Sequence, residues 1–336
     1  MIEDTRGTDS RRLAVADLQQ PVEAELRLVQ DELARFFVCD VALINEISRH
    51  MLRTNGKRFR PTLLLLSAKL AGVSDHRAVL AGAIVELVHT ATLVHDDSID
   101  RSFMRRGLPT VNSLWNDQTS VIMGDYLYSK AFFLLVEHDL MEVVQILART
   151  THRMSLGEML EIEKKLDFDV SEDAYFRLIQ EKTAVLIAAA CEIGAWLGFG
   201  DGRERRLMAD FGLNLGMAFQ IMDDILDVEG DTHTMGKSAG SDIQDGKITL
   251  PLIHALHKAP PAKVDHIRRR LLAGEINAAV AAEVGAFAAE YGGLDYARHR
   301  ARGFADRAVE MLDGFEDTPI RSTLRDSVEY VLSRQK

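Results

Sequence analysis

Two short segments of this chain carry more carboxylate than a helix face holds without a reason. His95-Asp96-Asp97-Ser98-Ile99-Asp100 and Gln220-Ile221-Met222-Asp223-Asp224-Ile225-Leu226-Asp227 each have an aspartate pair and a third aspartate four residues after the first. Residues i and i+4 share a helix face, so Asp96 projects beside Asp100, and Asp223 beside Asp227. Like charges at that spacing destabilise a helix unless something positive lies between them. Hard oxygen donors in this number suit Mg²⁺, which takes carboxylates together with substrate phosphates and retained waters. A single such motif, in a chain with 51 acidic residues, reads as readily as a solvated face. Two copies, each closing an apolar run (Leu87 to Val94; Phe211 to Met222), favour a metal, because buried carboxylates need counter-ions.

The positive groups form the matching half. Gly56-Lys57-Arg58-Phe59-Arg60-Pro61 places three cations just before a helix, and Arg105-Arg106-Gly107 follows the first acidic motif. Lys182-Thr183 interrupts an otherwise apolar helix, while Gly236-Lys237 and Asp245-Gly246-Lys247 flank the loop after the second motif. Each alone reads as a surface charge. Together they are what two diphosphates require: Arg for forked contacts, Lys as point charges, Mg²⁺ for the rest. His89, two turns before Asp96 on nearly the same face, adds a donor; alone it would read as a core histidine.

Long helices must carry these groups. Proline occurs seven times, at 21, 61, 109, 251, 260, 261 and 319, and leaves the whole span from Pro109 to Pro251 free for helix. Leu80, Ile84, Leu87, Val88, Ala91 and Val94 follow the i, i+3, i+4, i+7 rule behind a Ser74 or Asp75 cap. Leu178, Ala184, Val185, Ala188, Ala189 and Ile193 repeat it before Gly198, Gly200 and Gly202 break the chain. No convincing strand alternation is found. The fold class is all-α, with helices at about 22–38, 41–52, 61–71, 75–99, 117–137, 140–165, 172–197, 204–229, 247–257, 262–273, 276–291, 294–313 and 319–333. A flexible N-terminal tail is expected over 1–20, a loop over 230–246, and a single helical domain over 21–336.

Composition narrows the class. The 336 residues are 47% apolar, enough for a packed core, and the formal charge of −11 argues against a nucleic-acid partner. Cys39 and Cys191 form no C-x-x-C pair, so a disulfide scaffold or zinc ribbon is excluded. The polar first twenty residues lack a secretory core. The longest apolar stretch, Ala184 to Phe199, contains Glu192 and falls short of a span, so the expectation is a cytoplasmic protein without a transmembrane segment.

In this order, GKRFRP, HTATLVHDDSID, MRRG, EKTA, FQIMDDILD and the GK…D…GK-TLP loop resemble the trans-polyprenyl diphosphate synthases, closest to their long-chain, octaprenyl-type branch. The resemblance covers residues 25 to 336. It implies a helical bundle around a deep cavity and Mg²⁺ (about three ions per site) held by two facing aspartate motifs. It implies condensation of isopentenyl diphosphate with an allylic diphosphate, and a homodimer. Carried over by position, Asp96, Asp100, Asp223 and Asp227 are the metal ligands, with Asp97 and Asp224 behind them. Lys57, Arg60, His89 and Arg106 would hold isopentenyl diphosphate. Arg105, Lys182, Thr183, Gln220 and Lys247, assisted by Lys237, would surround the allylic diphosphate and the developing cation. Arg101-Ser102-Phe103 departs from the pattern, since many relatives carry an acid there.

Chain length follows from helix geometry. Ala91 and Thr92 lie about 6–7.5 Å deeper than Asp96 at 1.5 Å per residue, where relatives making short products carry aromatic rings. These small side chains predict products longer than C20, with Phe132 or Phe133 as the deeper floor. The rivals are a shorter-chain (geranylgeranyl) synthase, a terpene cyclase or head-to-head synthase, and a non-catalytic subunit of a heteromeric synthase. A cyclase needs neither the GKRFRP element nor a second DDxxD motif, and a regulatory subunit tends to lose aspartates or lysines that are all present here.

Overall fold

A computed structural model describes residues 13–53, 56–230, 240–274 and 276–334. Helices α1 (Val15–Gln19), α2 (Glu23–Phe36), α3 (Ala42–Arg53), α4 (Phe59–Leu70) and α5 (His76–Ile99) lead into the short α6 (Val111–Leu114) and the long α7 (Asp117–Glu137) and α8 (Met141–Lys164). There follow α9 (Glu172–Ile179), α10 (Val185–Phe199), α11 (Arg203–Glu229) and α12 (Ser241–Gln244). The C-terminal third comprises α13 (Leu250–Lys258), α14 (Pro261–Leu272), α15 (Ala278–Glu290), α16 (Gly293–Leu312) and α17 (Pro319–Ser333). Side-chain caps set several starts: Asp75 accepts from the Arg77 amide at α5, Asn116 from Thr119 at α7, and Ser171 from Ala174 at α9.

The all-α expectation holds, with four local differences. The expected loose tail contains α1, because Leu18 is a core residue; residues 1–12 lie outside the described part. Arg105 and Arg106 do not sit in a plain loop: Met104–Arg105 pairs with Leu108–Pro109 as a two-residue hairpin. The helix expected over 172–197 is interrupted by a π-helical turn, Gln180–Ala184, which carries Lys182 and Thr183. Such a turn widens the helix and re-aims its side chains, and it is common at functional sites. Part of the loop expected over 230–246 is the short α12, while Lys237 lies outside the described residues.

The centre of the bundle is α10, apolar apart from Glu192, which pairs with Arg149 and Arg205, and packed among α4, α11, α8 and α5. Two helices, His76–Ile99 and Glu172–Phe199, pass by length and composition for membrane spans, but they are 72% and 61% buried inside the protein. Close approach around α10 depends on glycine. A Cβ on Gly194 would lie 2.2 Å from the Leu64 carbonyl oxygen, and one on Gly216 would lie 2.6 Å from the Ala184 Cα. These contacts hold α4 and α11 tight against α10 and so fix where the ends of α5 and α11 emerge.

Gly194→Ala should therefore cost about 1–3 kcal/mol, the range of core overpacking, because backbone and not a flexible side chain stands in the way. Gly303→Ala on α16 meets only the Arg307 guanidinium at 3.9 Å and should stabilise by about 0.5–1 kcal/mol through helix propensity. Urea midpoints of the two variants should move in opposite directions; a shared direction would show that helix propensity, not close packing, governs both.

Candidate active site

The first aspartate motif occupies the last turn of α5, and the second the last turns of α11. Helix C-termini carry partial negative charge, so these aspartates stand against the local field and need compensation from elsewhere. Buried Asp97 receives the Arg105 Nε at 2.9 Å on each oxygen. Asp100 meets the Lys247 ammonium at 3.6 Å, and Asp223 accepts from Arg334 Nη2 at 2.9 Å. Asp224 accepts from the Tyr175 hydroxyl at 2.6 Å and the Gln220 amide at 2.8 Å. Asp227, expected as a metal ligand, already accepts from the Ser241 hydroxyl at 2.8 Å and from the Ser241 and Asp242 amides at 3.2 and 3.0 Å. It ties α12 back onto α11.

Both motifs border one cavity of about 400 Å³, whose lining includes Asp100, Asp224, Lys182, Thr183, Gln220 and Lys247. Two further acids on α8 face it, Glu158 and Glu161. Lys182 lies 3.0 Å from Glu158 and 2.8 Å from Glu161, and Glu161 also reaches Lys247 at 3.3 Å. Burial pushes both lysine pKa values down, yet Glu161 and its acidic neighbours outweigh it and hold both ammoniums above the usual range. A Cβ on Gly157 would lie 2.5 Å from the Lys182 backbone nitrogen, so this glycine is what lets α8 reach the π turn. Sequence reasoning passed over Glu158 and Glu161, although their i, i+3 spacing beside Gly157 carries the same signal as the aspartates.

The acids exceed the lysines here. Burial first, then the charge of Glu158, pushes the Asp96 carboxyl up to about 7, against the pull of Lys182 and Arg105. Asp242 is pushed to about 7 by burial and Asp227. Hard oxygen donors left short of positive charge are a fitting set for a divalent cation. Among the described residues no three His, Cys, Asp or Glu side chains gather into a ready-made metal cage.

The other cationic group lies behind α5. Arg58, left-handed at φ 51°, donates to Glu86 at 2.6 Å, and Arg60 lies 3.0 Å from His89 Nε2. Burial, then the arginines, lowers the His89 pKa well below its ordinary value. The neutral ring therefore accepts from Arg60 at Nε2 and carries its proton on Nδ1. Burial lowers Arg60 itself to about 10, and its buried Nε has no partner. Arg106 and Gly107, at φ 51° and 77°, form the tight turn of the hairpin and hold Arg106 over Gly56, where a Cβ would lie 2.5 Å from its Nη1. Arg58, Glu86, His89, Arg105 and Arg106 line a second, smaller cavity. Lys57 and Arg60 do not line it; Lys57 is exposed, its carbonyl accepting from Gln19 at 2.8 Å. The three guanidiniums of Arg58, Arg105 and Arg106 around one cavity suit an anion.

The chain-length residues divide. Ala91 is fully buried, and the half-buried Thr92 donates its hydroxyl to the His89 carbonyl at 2.7 Å. Neither lines the larger cavity, whose apolar walls are Ile99, Ile162, Leu178, Ile179 and Ile248. Phe132 packs against the core, but Phe133 is 57% exposed with the Lys130 ammonium over its ring. Phe133 is no floor of an internal tunnel, because consecutive residues on a helix point about 100° apart. Sequence reasoning also passed over Arg334, whose guanidinium lies 3.8 Å over the Phe219 ring and donates to the Phe219 carbonyl at 2.7 Å.

Asp96 gives a pH prediction. Its raised pKa means that the fold disfavours the charged form, a penalty that begins above the ordinary carboxylate range and is complete above about pH 7. The metal-free chain should lose stability as pH rises from about 5 to 7.5, with Asp242 contributing in the same direction, and Asp96→Asn should flatten the slope. Urea midpoints in the presence of chelator measure it; an unchanged slope would remove Asp96 as the source.

The chain matches the Polyprenyl synthetase family model over residues 41–284. It is 35% identical over 297 residues to the octaprenyl diphosphate synthase of Escherichia coli (strain K12), covering 88% of this chain and 92% of that protein. It is 36% identical over 295 residues to the geranylgeranyl diphosphate synthase of Methanosarcina mazei, covering 86% and 89%. The fold superposes with a TM-score of 0.92 and 35% identity on a polyprenyl synthase from Caulobacter crescentus CB15 complexed with calcium and isoprenyl diphosphate, covering 97% of this chain and 99% of that one. Motif order, helical architecture and these likenesses agree: the chain belongs to the polyprenyl synthetase family.

Proposed function

We propose that the chain condenses isopentenyl diphosphate with an allylic diphosphate, head to tail and repeatedly, giving a long-chain all-trans polyprenyl diphosphate and pyrophosphate. The observation that carries this reading is the pair of unlike anion pockets on one bundle, one rich in arginine around His89 and the other lined by carboxylates and lysines. A cyclase needs one diphosphate pocket; two pockets suit two diphosphates.

In this reading Arg60, Arg106, Lys57 and the Nδ1–H of His89 hold isopentenyl diphosphate. Lys182 and Lys247 receive the allylic diphosphate with help from Lys237, Arg105 assists from the arginine-rich cavity that it lines while it holds Asp97, and Thr183 and Gln220 face the reacting carbon. Mg²⁺, about three ions held by Asp96, Asp100 and Asp223 with Asp227 beside them, supplies Lewis-acid neutralisation of the leaving diphosphate. The allylic C–O bond breaks with its electron pair leaving on pyrophosphate. The isopentenyl double bond then forms the new C–C bond, and a proton is lost to the departed pyrophosphate. No Ser-His-Asp or Cys-His set is required.

Exposed Val121, Ile122, Phe133 and Val136 on α7 and Leu156 and Met159 on α8 form apolar surface on neighbouring helices, which supports a homodimer and gives Phe133 a place in it. The composition supports a cytoplasmic location without nucleic acid. The product is read as longer than C20 because Ala91 and Thr92 leave the turn above the first motif small, and the 35% identity to an octaprenyl diphosphate synthase supports that reading.

Purified chain with radiolabelled isopentenyl diphosphate, a farnesyl or geranylgeranyl starter and Mg²⁺ should turn over, and chelator should stop it. Asp96→Ala and Asp223→Ala should each abolish turnover while leaving the helical circular dichroism intact; a near-native rate in either would sink the two-motif mechanism. Thin-layer analysis of dephosphorylated products tests length. The wild type should pass C20 and Ala91→Phe should stop at C15–C20, whereas a wild type stopping there assigns the shorter-chain reading.

A further inference from the structure

A chain of hydrogen bonds runs along the wall of the larger cavity, which Tyr175, Asp224, Gln220 and Thr183 all line. The Tyr175 hydroxyl donates to Asp224 Oδ2 at 2.6 Å, the Gln220 amide Nε2 donates to Asp224 Oδ1 at 2.8 Å, and the Thr183 hydroxyl donates to Gln220 Oε1 at 2.8 Å. Three elements meet in it: α9 brings Tyr175, α11 brings Gln220 and Asp224, and the π turn brings Thr183. Tyr175 is 4% exposed and Asp224 3% exposed, so water does not compete for either.

The direction of each link follows from which groups have protons to give. Gln220 turns its NH₂ inward onto Asp224 Oδ1, the oxygen that accepts whether or not the carboxyl carries a proton on Oδ2. The amide oxygen then faces the π turn and takes the one proton of the Thr183 hydroxyl. With that proton committed, the hydroxyl presents only lone pairs to the cavity, the negative end of its dipole. A hydroxyl free to rotate would instead turn its proton toward the nearest diphosphate oxygen. The relay thus decides whether Thr183 faces positive or negative charge.

We infer that Tyr175 is a positioning residue for the condensation: through Asp224 and Gln220 its phenol fixes the Thr183 hydroxyl with lone pairs toward the carbon on which positive charge develops. The inference rests on the activity proposed above, and it adds a residue that touches neither substrate nor metal in that reading. Preorganised dipoles of this kind act most strongly in the transition state, where the charge exists, so loss of the phenol should lower the rate rather than binding.

The test is the single-turnover rate of the first condensation, which product release does not mask. Tyr175→Phe keeps the ring and removes the donor. Its rate should fall about 10- to 100-fold with both KM values within about twofold of wild type. Thr183→Val removes the hydroxyl at constant shape, and Tyr175→Phe in that background should cost nothing more, because the group it orients is gone. Gln220→Met breaks the chain at its middle and should likewise absorb the Tyr175→Phe effect, which keeps the test sound if the valine variant folds poorly. An active wild type with an undiminished Tyr175→Phe rate overturns this inference alone. So do losses that multiply in the double variants, a loss carried by KM, or a lowered melting temperature at unchanged rate. A wild type without turnover overturns the proposed activity and this inference with it.

Discussion

A carboxylate taken from water into a helical interior costs several kcal/mol unless cations or donors meet it. This chain brings acids from three helices to one cavity: Asp100 from α5, Glu158 and Glu161 from α8, and Asp224 from α11, with Asp96 and Asp223 beside them in the same helix ends. Two of these acidic faces end helices, where the dipole adds to the cost. Much else in the bundle serves to hold that charge. Lys182 and Lys247 bridge between the faces, Arg105 forks onto Asp97, Arg334 reaches Asp223, and the phenol of Tyr175 caps Asp224. Without these partners the three faces would repel one another and the cavity would open.

The scaffold explains how such a cluster is tolerated. Helix α10 is mostly buried and contributes no charge to the cavity, so its packing against α4 and α11 supplies stability that the acidic ends do not. Gly194 and Gly216 let the neighbouring backbones come within contact distance, and Gly157 does the same where α8 meets the π turn. That turn places Lys182 between α8 and α11; a regular helix through 180–184 would rotate both Lys182 and Thr183 away from their partners. Left-handed Arg58 and Arg106 mark the same trade at the arginine pocket, where non-glycine residues hold a costly conformation to aim their guanidiniums.

How much of this was legible in the sequence depends on the range of the interaction. Periodicity, proline spacing and caps act within a few residues, so the helices and the two aspartate motifs could be read directly. Arg105, Gln220 and Lys247, which meet Asp97, Asp224 and Asp100, stood out as well, but two other partners of the aspartates did not. Arg334 meets Asp223 across 111 positions and Tyr175 meets Asp224 across 49, and neither carries a local pattern that announces its role. Glu158 and Glu161 had the pattern but are separated from Lys182 by 24 and 21 residues, so nothing local tied them to it. The error over Phe133 has the opposite origin. Both phenylalanines on α7 are apolar, and apolarity does not say whether a residue faces the interior of its own chain or a surface able to meet another.

The two pockets differ in a way that bears on which diphosphate leaves. Around His89 the arginines outnumber the acids, with Glu86 held by Arg58, so a diphosphate there finds its charge met by the protein alone. That environment gives the C–O bond of a bound diphosphate no additional cation as it lengthens. In the larger cavity the acids outnumber the lysines, and burial, then the charge of Glu158, pushes the nearby Asp96 up to about 7. In the proposed reading a diphosphate would enter such a place together with divalent cations, which would supply Lewis acidity to the leaving group. Under the proposed activity, the charge balance that makes the larger cavity unable to hold a bare anion also makes it the one place where a diphosphate ionises. The arginine pocket, complete without metal, keeps its diphosphate intact for the product.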